Sequence, residues 1–124
     1  MKMNFKLEFV LNTSPEILYK RLQSAVGLSE WFADNVDVDD DIFTFSWDGA
    51  EQQARRTKTK QNQLVRFEWL DEDEPNFFEF IISKDEMTGD VSLIVSDNAE
   101  EDEIADAQDL WHQQINDLKN VIGG

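Results

Sequence analysis

The sequence predicts an α+β domain in which a long C-terminal helix packs on an antiparallel sheet. Several segments alternate apolar and polar side chains with the period of a strand, and the last segment carries an apolar residue every three or four positions. The connections between the predicted strands are too short for crossover helices, so the strands should pair antiparallel. A chain of 124 residues can bury one core, and we expect residues 1–124 to form a single domain.

The N-terminal region predicts one strand followed by a helix. Apolar and polar side chains alternate over residues 5–9, as in a half-buried strand. The helix start has two alternative caps. Either Thr13 caps with Glu16 closing a capping box, or Ser14 caps with Pro15 in the first helical position.

A second short helical turn is predicted over residues 28–32. Gly27 interrupts the apolar pattern of the first helix, and the new turn follows it directly. It carries two large aromatic side chains, Trp31 and Phe32.

Residues 41–97 predict a meander of antiparallel strands. Asp48-Gly49 is a strong two-residue hairpin signal because both residues tolerate positive φ, and further turns are predicted at Gln61-Asn62 and Thr88-Gly89. An acidic loop is predicted over residues 71–76. The alternating large apolar residues of these strands are Phe43, Phe45, Trp47, Val65, Phe67, Trp69, Phe78, Phe80, Ile82, Val91, Leu93 and Val95.

The last segment predicts the longest helix. Asp97 or Asn98 is the expected cap, the acids of residues 100–103 would lie at the positive end of the helix dipole, and Gly123-Gly124 would end it. Its stripe should cover the sheet and contains Ile104, Gln108, Trp111, Ile115, Leu118 and Ile122.

Three segments resemble the START-like (SRPBCC) superfamily. They are residues 13–19, Thr-Ser-Pro-Glu-Ile-Leu-Tyr, residues 28–34, Leu-Ser-Glu-Trp-Phe-Ala-Asp, and Leu110-Trp111 with Ile115 and Leu118 in the last helix. The second and third are similar to the branch named after the activator of the large heat-shock ATPase chaperone, and the whole chain resembles uncharacterised bacterial START-like domains. The resemblance implies a helix-grip fold, in which a curved sheet wraps around the last helix, often with an apolar cavity between them.

The composition of the chain disfavours several classes of partner and site. The chain has 11 Lys and Arg against 27 Asp and Glu, a net charge of −16, which opposes binding to nucleic acid and to anionic membrane surfaces. It has no cysteine, so neither a disulfide nor a thiolate metal site is expected. No apolar run has transmembrane length and no secretory apolar segment begins the sequence, so we expect a cytoplasmic protein.

No metal, cofactor or catalytic site is predicted. The alternating acids of residues 37–41 begin like a calcium loop, but Ile42 stands where that loop requires Gly and Asp48 where it requires Glu, so a solvated turn is favoured. The acids of residues 71–74 are interpreted as a charged hairpin loop. His112, the only histidine, would have to serve any Ser–His–acid triad, and no partner for it can be nominated.

The basic run of residues 55–60 has two alternative interpretations. It can be an exposed strand whose cations pair with Glu68 and Glu79 across the sheet. Alternatively, the parity of the hairpin at Asp48-Gly49 places Arg56 on the covered face, where it would anchor a carboxylate. A single bulge would reverse that orientation.

The aromatic residues also have two alternative interpretations: they line a ligand cavity, or they fill a packed core. The predicted cavity consists of Trp31, Phe32, Phe43, Phe45, Trp47, Arg56, Phe67, Trp69, Phe78, Phe80, Trp111 and Ile115.

Three function hypotheses follow. The first is a module that binds an apolar or amphipathic small molecule between the sheet and the last helix. The second is a protein-interaction domain, as a homodimer or docked on a larger partner, using an outer-face patch of Leu64, Phe77, Ile81 and Ile94. The third is a cyclase-like enzyme, which the resemblance allows but for which no acid–base pair is evident.

Overall fold

A seven-stranded antiparallel sheet carries three helices in the computed structural model, which describes residues 2–72 and 75–123. The strand order is β1-β7-β6-β5-β4-β3-β2, so the first strand pairs with the last one and β2 forms the opposite edge. The α+β helix-grip prediction is confirmed. The elements are β1 (Lys2–Leu11), α1 (Pro15–Gln23), α2 (Ala25–Ser29), β2 (Asn35–Asp39), β3 (Ile42–Trp47), β4 (Ala50–Lys60), β5 (Leu64–Trp69), β6 (Phe77–Lys84), β7 (Val91–Glu100) and α3 (Ile104–Ile122).

The predicted turns are where the sequence indicates. Asp48 and Gly49 both have positive φ, 52° and 87°, as a two-residue hairpin requires. Asn62 and Gly89 also lie in the left-handed region. The acidic loop joins β5 to β6, and its Asp73 and Glu74 lie outside the described residues.

The core lies between one face of the sheet and α3. From α3, Trp111, Ile115 and Leu118 are buried, as the apolar stripe predicts. The facing phenylalanines of β3, β5 and β6 are no more than 1% exposed, and they are Phe43, Phe45, Phe67, Phe78 and Phe80. Such complete burial of large rings makes α3 an integral part of the fold.

The first helix begins at the second of the two predicted caps. The Ser14 hydroxyl accepts a hydrogen bond of 3.2 Å from the Ile17 backbone N–H, and Pro15 occupies the first helical position. The prediction that Gly27 interrupts the helical pattern is wrong, because this residue lies inside α2. A Cβ at Gly27 would stand 2.3 Å from the Lys20 carbonyl oxygen, so glycine is what allows α2 to pack closely on α1.

The acidic segment after α2 corrects another prediction. Residues 37–39 belong to strand β2, and the solvated turn is limited to the two acids that follow. Val36 is buried opposite Phe45, while Asp37 and Asp39 are exposed on the other face. Valine and aspartate thus alternate with strand period, and charge on an exposed edge discourages pairing with other chains.

The start of the C-terminal helix also differs from the prediction. Neither Asp97 nor Asn98 caps the last helix, because β7 continues to Glu100 in register with the long strand β1. This pairing provides the backbone of residues 97–100 with strand partners, so the helix begins only at Ile104, after a 3-10 turn over Glu101–Glu103. The predicted end is confirmed at Gly123, whose φ is 75°, while Gly124 lies outside the described residues.

Candidate functional site

Most of the predicted cavity residues form a packed aromatic core. Phe67 stacks on Phe78 with ring centroids 5.1 Å apart, and Phe43 meets Phe67 edge-on at the same distance. Phe80 meets Trp31 at 5.7 Å and Trp111 at 5.8 Å. These ring contacts are typical of a packed core in the middle of the sheet face. The fully buried predicted members are Phe43, Phe45, Phe67, Phe78, Phe80 and Ile115.

An open groove of about 420 Å³ lies at the edge of this core, where α3 crosses the ends of β3, β4 and β5. We call it the tryptophan groove. Four predicted cavity residues border it, and three of those are tryptophans. The lining residues are Phe32, Trp47, Gln52, Trp69, Asp97, Ala107, Leu110, Trp111 and Gln114.

One backbone carbonyl holds the walls of the groove together. The Phe32 oxygen accepts a hydrogen bond of 2.8 Å from the Trp47 indole N–H and another of 3.0 Å from the Gln114 side-chain amide. The turn after α2, strand β3 and helix α3 therefore meet at a single atom. These two hydrogen bonds fix the walls of the groove relative to one another.

Asp97 is the titratable member of the groove lining, although the sequence predicts it as a helix cap and not as a site residue. One carboxylate oxygen, Oδ2, accepts a hydrogen bond of 2.9 Å from the Trp111 indole, and Oδ1 accepts one of 2.7 Å from the Asn98 backbone N–H. Burial raises the pKa of this carboxyl above its ordinary value, although the Trp111 and Asn98 hydrogen bonds oppose the rise. The strand alternation of Val91, Leu93 and Val95 leads to Asp97 and could have placed it on the covered face.

Arg56 faces the covered side of the sheet but is not part of the groove. It is the register partner of Phe67, and the bulge in β4 follows Arg56, so the predicted face is retained. The guanidinium donates to the backbone carbonyl of Gln23 at the end of α1 and lies 3.9 Å from the Asp41 carboxylate. It also lies over the Phe43 ring, with 5.3 Å between its central carbon and the ring centroid.

The other cations of the basic run face outwards. Arg55 is the register partner of Glu68, as predicted, but Glu79 pairs with Arg66 at 2.7 Å and not with the run. Proximity explains this, because Arg66 is directly opposite Glu79 on the neighbouring strand.

The predicted outer-face patch exists as a row of half-buried side chains. Leu64, Ile81 and Ile94 are successive register partners across β5, β6 and β7. Phe77 is separated from this row by the Arg66–Glu79 pair and lies under the Arg66 guanidinium, whose central carbon is 4.4 Å from the ring centroid. The apolar surface is thus partly covered by a charged side chain.

The remaining sequence candidates lie away from the groove. His112 is exposed on α3 and meets the edge of the Phe9 ring at 5.1 Å. Over residues 2–72 and 75–123, no group of three or more histidine or acidic side chains is arranged to hold a metal ion. In the same part of the chain, no helix combines the length and the apolar character that spanning a bilayer requires.

Comparisons with known proteins agree with this architecture. A family model described as a START-like superfamily domain matches residues 1–124. The solution structure of BfR322 from Bacteroides fragilis is 36% identical in sequence, with 97% of this chain and 90% of that chain covered and a TM-score of 0.70. No curated protein has a significantly matching sequence.

Two more distant structures share the fold alone. The Aha1 dimer from Colwellia psychrerythraea is 19% identical, with 97% of this chain and 96% of that chain covered and a TM-score of 0.81. MLL2253 from Mesorhizobium loti is 15% identical, with coverages of 98% and 97% and a TM-score of 0.80.

Proposed function

The chain belongs to the START-like superfamily, and from that premise we propose that it binds an apolar or amphipathic small molecule in the tryptophan groove. Residues 1–124 would act as one domain. We propose a cytoplasmic location, which is compatible with an acidic protein that has no cysteine and therefore no disulfide. No nucleic-acid or membrane partner is proposed, since the net charge of −16 opposes both.

The observation that supports this function is the groove itself. Its volume of about 420 Å³ falls within the roughly 300–1,000 Å³ typical of ligand pockets. Indole and phenyl rings border it, and a few polar groups, on Gln52, Asp97 and Gln114, stand among them. Large apolar walls with a small number of polar contacts are the usual composition of small-molecule sites.

This proposal is narrower than the cavity predicted from the sequence. It assigns the ligand to the rim of the aromatic cluster, at Phe32, Trp47, Trp69 and Trp111. The fully buried rings behind the rim would support those walls.

The test uses N-phenyl-1-naphthylamine, a neutral apolar dye whose fluorescence rises in an apolar site. We expect saturable binding at one site and energy transfer from the groove tryptophans. Gln52→Trp should abolish binding, because Gln52 is exposed in the groove and a larger ring there fills it. The matched control is Gln53→Trp, the same substitution one residue on, which faces the opposite side of β4.

If neither Gln52→Trp nor Gln53→Trp changes dye binding, the groove is not the binding site. Absence of saturable binding to the wild-type protein would contradict the function itself.

A second candidate function is association with another copy of this chain through the outer-face patch. Its support is the half-buried row of Leu64, Ile81 and Ile94 and the fact that the Colwellia psychrerythraea protein of this fold is a dimer. Sedimentation equilibrium tests it. A dimer mass that Ile81→Lys converts to a monomer mass would favour this function, and a monomer mass at all concentrations would contradict it. A cyclase-like activity, the third hypothesis, is supported only by the breadth of the family.

A further inference from the structure

We propose that the ligand of the tryptophan groove carries a cationic amine or quaternary ammonium group, bound between the Asp97 carboxylate and the surrounding aromatic rings. This inference rests on the proposed function and specifies the chemical class of its ligand. It replaces an anionic head group, which Arg56 had suggested, with one of the opposite charge.

The charge of the groove lining supports a cationic ligand. Asp97 is the charged residue among its nine members, and none of them is a lysine or an arginine. Arg56, four residues along β4 from Gln52, is engaged with the end of α1. An anionic head group in the groove would therefore meet a carboxylate and no cation among the lining residues.

The way in which Asp97 is held also supports a cationic ligand. Among the described residues its two hydrogen-bond donors, the Trp111 indole and the Asn98 backbone amide, are neutral groups. Lys2 acts on it at longer range, and its ammonium lies 2.6 Å from Glu72. A partly desolvated carboxylate that receives only neutral hydrogen bonds gains strongly from a cation placed beside it.

The surrounding aromatic rings support a cationic group as well. Phe32 lies 5.4 Å from Trp47 and 5.8 Å from Trp111, and Trp47 lies 6.4 Å from Trp69, as measured between ring centroids. The negative faces of aromatic rings attract cations, tryptophan most strongly, and clusters of such rings recognise quaternary ammonium groups. The four rings and the carboxylate border the same groove.

The charge of the whole protein acts in the same direction. A net charge of −16 raises the local concentration of cations and accelerates their association. This field does not select a site, but it favours a cationic ligand over a neutral or anionic ligand of the same size.

The experiment measures displacement of N-phenyl-1-naphthylamine by three probes that share a ten-carbon chain: decyltrimethylammonium, 1-decanol and decanoate, each below its aggregation concentration. We expect the ammonium probe to bind at least about ten times more tightly than the alcohol, and decanoate to bind weakest. Asp97→Asn should lower affinity for the ammonium probe to that for the alcohol and leave the alcohol unaffected.

Gln52→Lys provides a second variant that does not disturb the core. Because residue 52 is exposed at the groove, a lysine there should repel the ammonium probe and favour decanoate. Gln53→Lys, on the opposite face, is the matched control for the added charge.

The outcomes separate the two proposals. The proposal of a cationic ligand is overturned if all three probes displace the dye equally. It is also overturned if both Asp97→Asn and Gln52→Lys leave binding of the ammonium probe unchanged. In either case the proposed binding function stands. If the dye shows no saturable binding to the wild-type protein, the binding function fails and this inference fails with it.

Discussion

The Trp111 indole donates a hydrogen bond of 2.9 Å to Oδ2 of Asp97, and this bond joins α3 to β7 at the wall of the tryptophan groove. A large ring whose apolar part is buried and whose N–H reaches a polar partner satisfies both requirements of a core tryptophan. The same bond orients the carboxylate that faces the groove. Packing of the last helix and the chemistry of the candidate site therefore depend on one pair of residues.

Replacing Trp111 should destabilise the whole domain. Trp111→Ala is expected to lower the free energy of unfolding by about 3–5 kcal/mol, because the side chain is only 6% exposed. Trp111→Phe, which retains most of the ring and loses the donor to Asp97, should cost about 1–3 kcal/mol. Urea unfolding measures both, with Leu110→Ala, at a site 55% exposed, as the control. A loss below about 1 kcal/mol for Trp111→Ala would mean that α3 does not grip the sheet.

Asp97 should make stability depend on pH. Because burial raises its pKa in the folded state above the ordinary value of 3.8, the folded protein binds the proton more tightly than the unfolded chain does. The contribution of Asp97 to stability is therefore fully present below pH 3.8 and is lost as the pH rises through the folded-state pKa.

Asp97→Asn isolates this dependence from that of the other acids. The stability of the variant minus that of the wild type should rise with pH from about 3.8 and level off once Asp97 is ionised in the folded protein. Denaturant titrations of both proteins across this range measure the difference. A constant difference would show that the pKa of Asp97 is the same in the folded and unfolded states.

Gly27 should resist replacement although it lies in a helix. Alanine normally stabilises a helix interior by about 0.5–1 kcal/mol relative to glycine. At Gly27, however, its Cβ would stand 2.3 Å from the Lys20 carbonyl oxygen and 2.7 Å from the Arg21 Cα, both backbone atoms. We expect Gly27→Ala to cost about 1–3 kcal/mol, since α1 and α2 must move apart. Val26→Ala, at an exposed position of the same helix, should change stability little, and a stabilised Gly27→Ala would refute the close packing.

Arg56 should matter for stability through its contact with α1. Arg56→Met keeps the apolar stem near Phe43 but removes the donor to the Gln23 carbonyl, and the expected loss is about 1.5–3 kcal/mol. Arg55→Met, on the exposed face of the same strand, is the control and should stay within about 0.5 kcal/mol of the wild type. Thermal or urea unfolding distinguishes them, and equal small losses would mean that the bond to α1 contributes nothing.

The errors in the helix and strand boundaries have a common cause. Asp37, Asp39, Asp97 and Asn98 are residues that favour caps and turns locally, yet all four lie in strands. Their conformation is decided by the strand alongside, since β1 is long enough to pair as far as Glu100 and β3 pairs with the whole of β2. Local preference is weak where a neighbouring strand satisfies the backbone.

The sequence by itself determined the α+β architecture, the hairpin at Asp48-Gly49 and the buried faces of the sheet and of α3, because these follow from the periodicity of apolar side chains and from turn chemistry. Only the tertiary structure decided which aromatic residues are packed core and which border a groove. Periodicity assigns a face to each ring, but space between rings depends on how α3 crosses the strand ends. The same crossing placed Asp97 in the groove, while the position of α1 against the sheet brought its end to Arg56, and no local pattern contains that information.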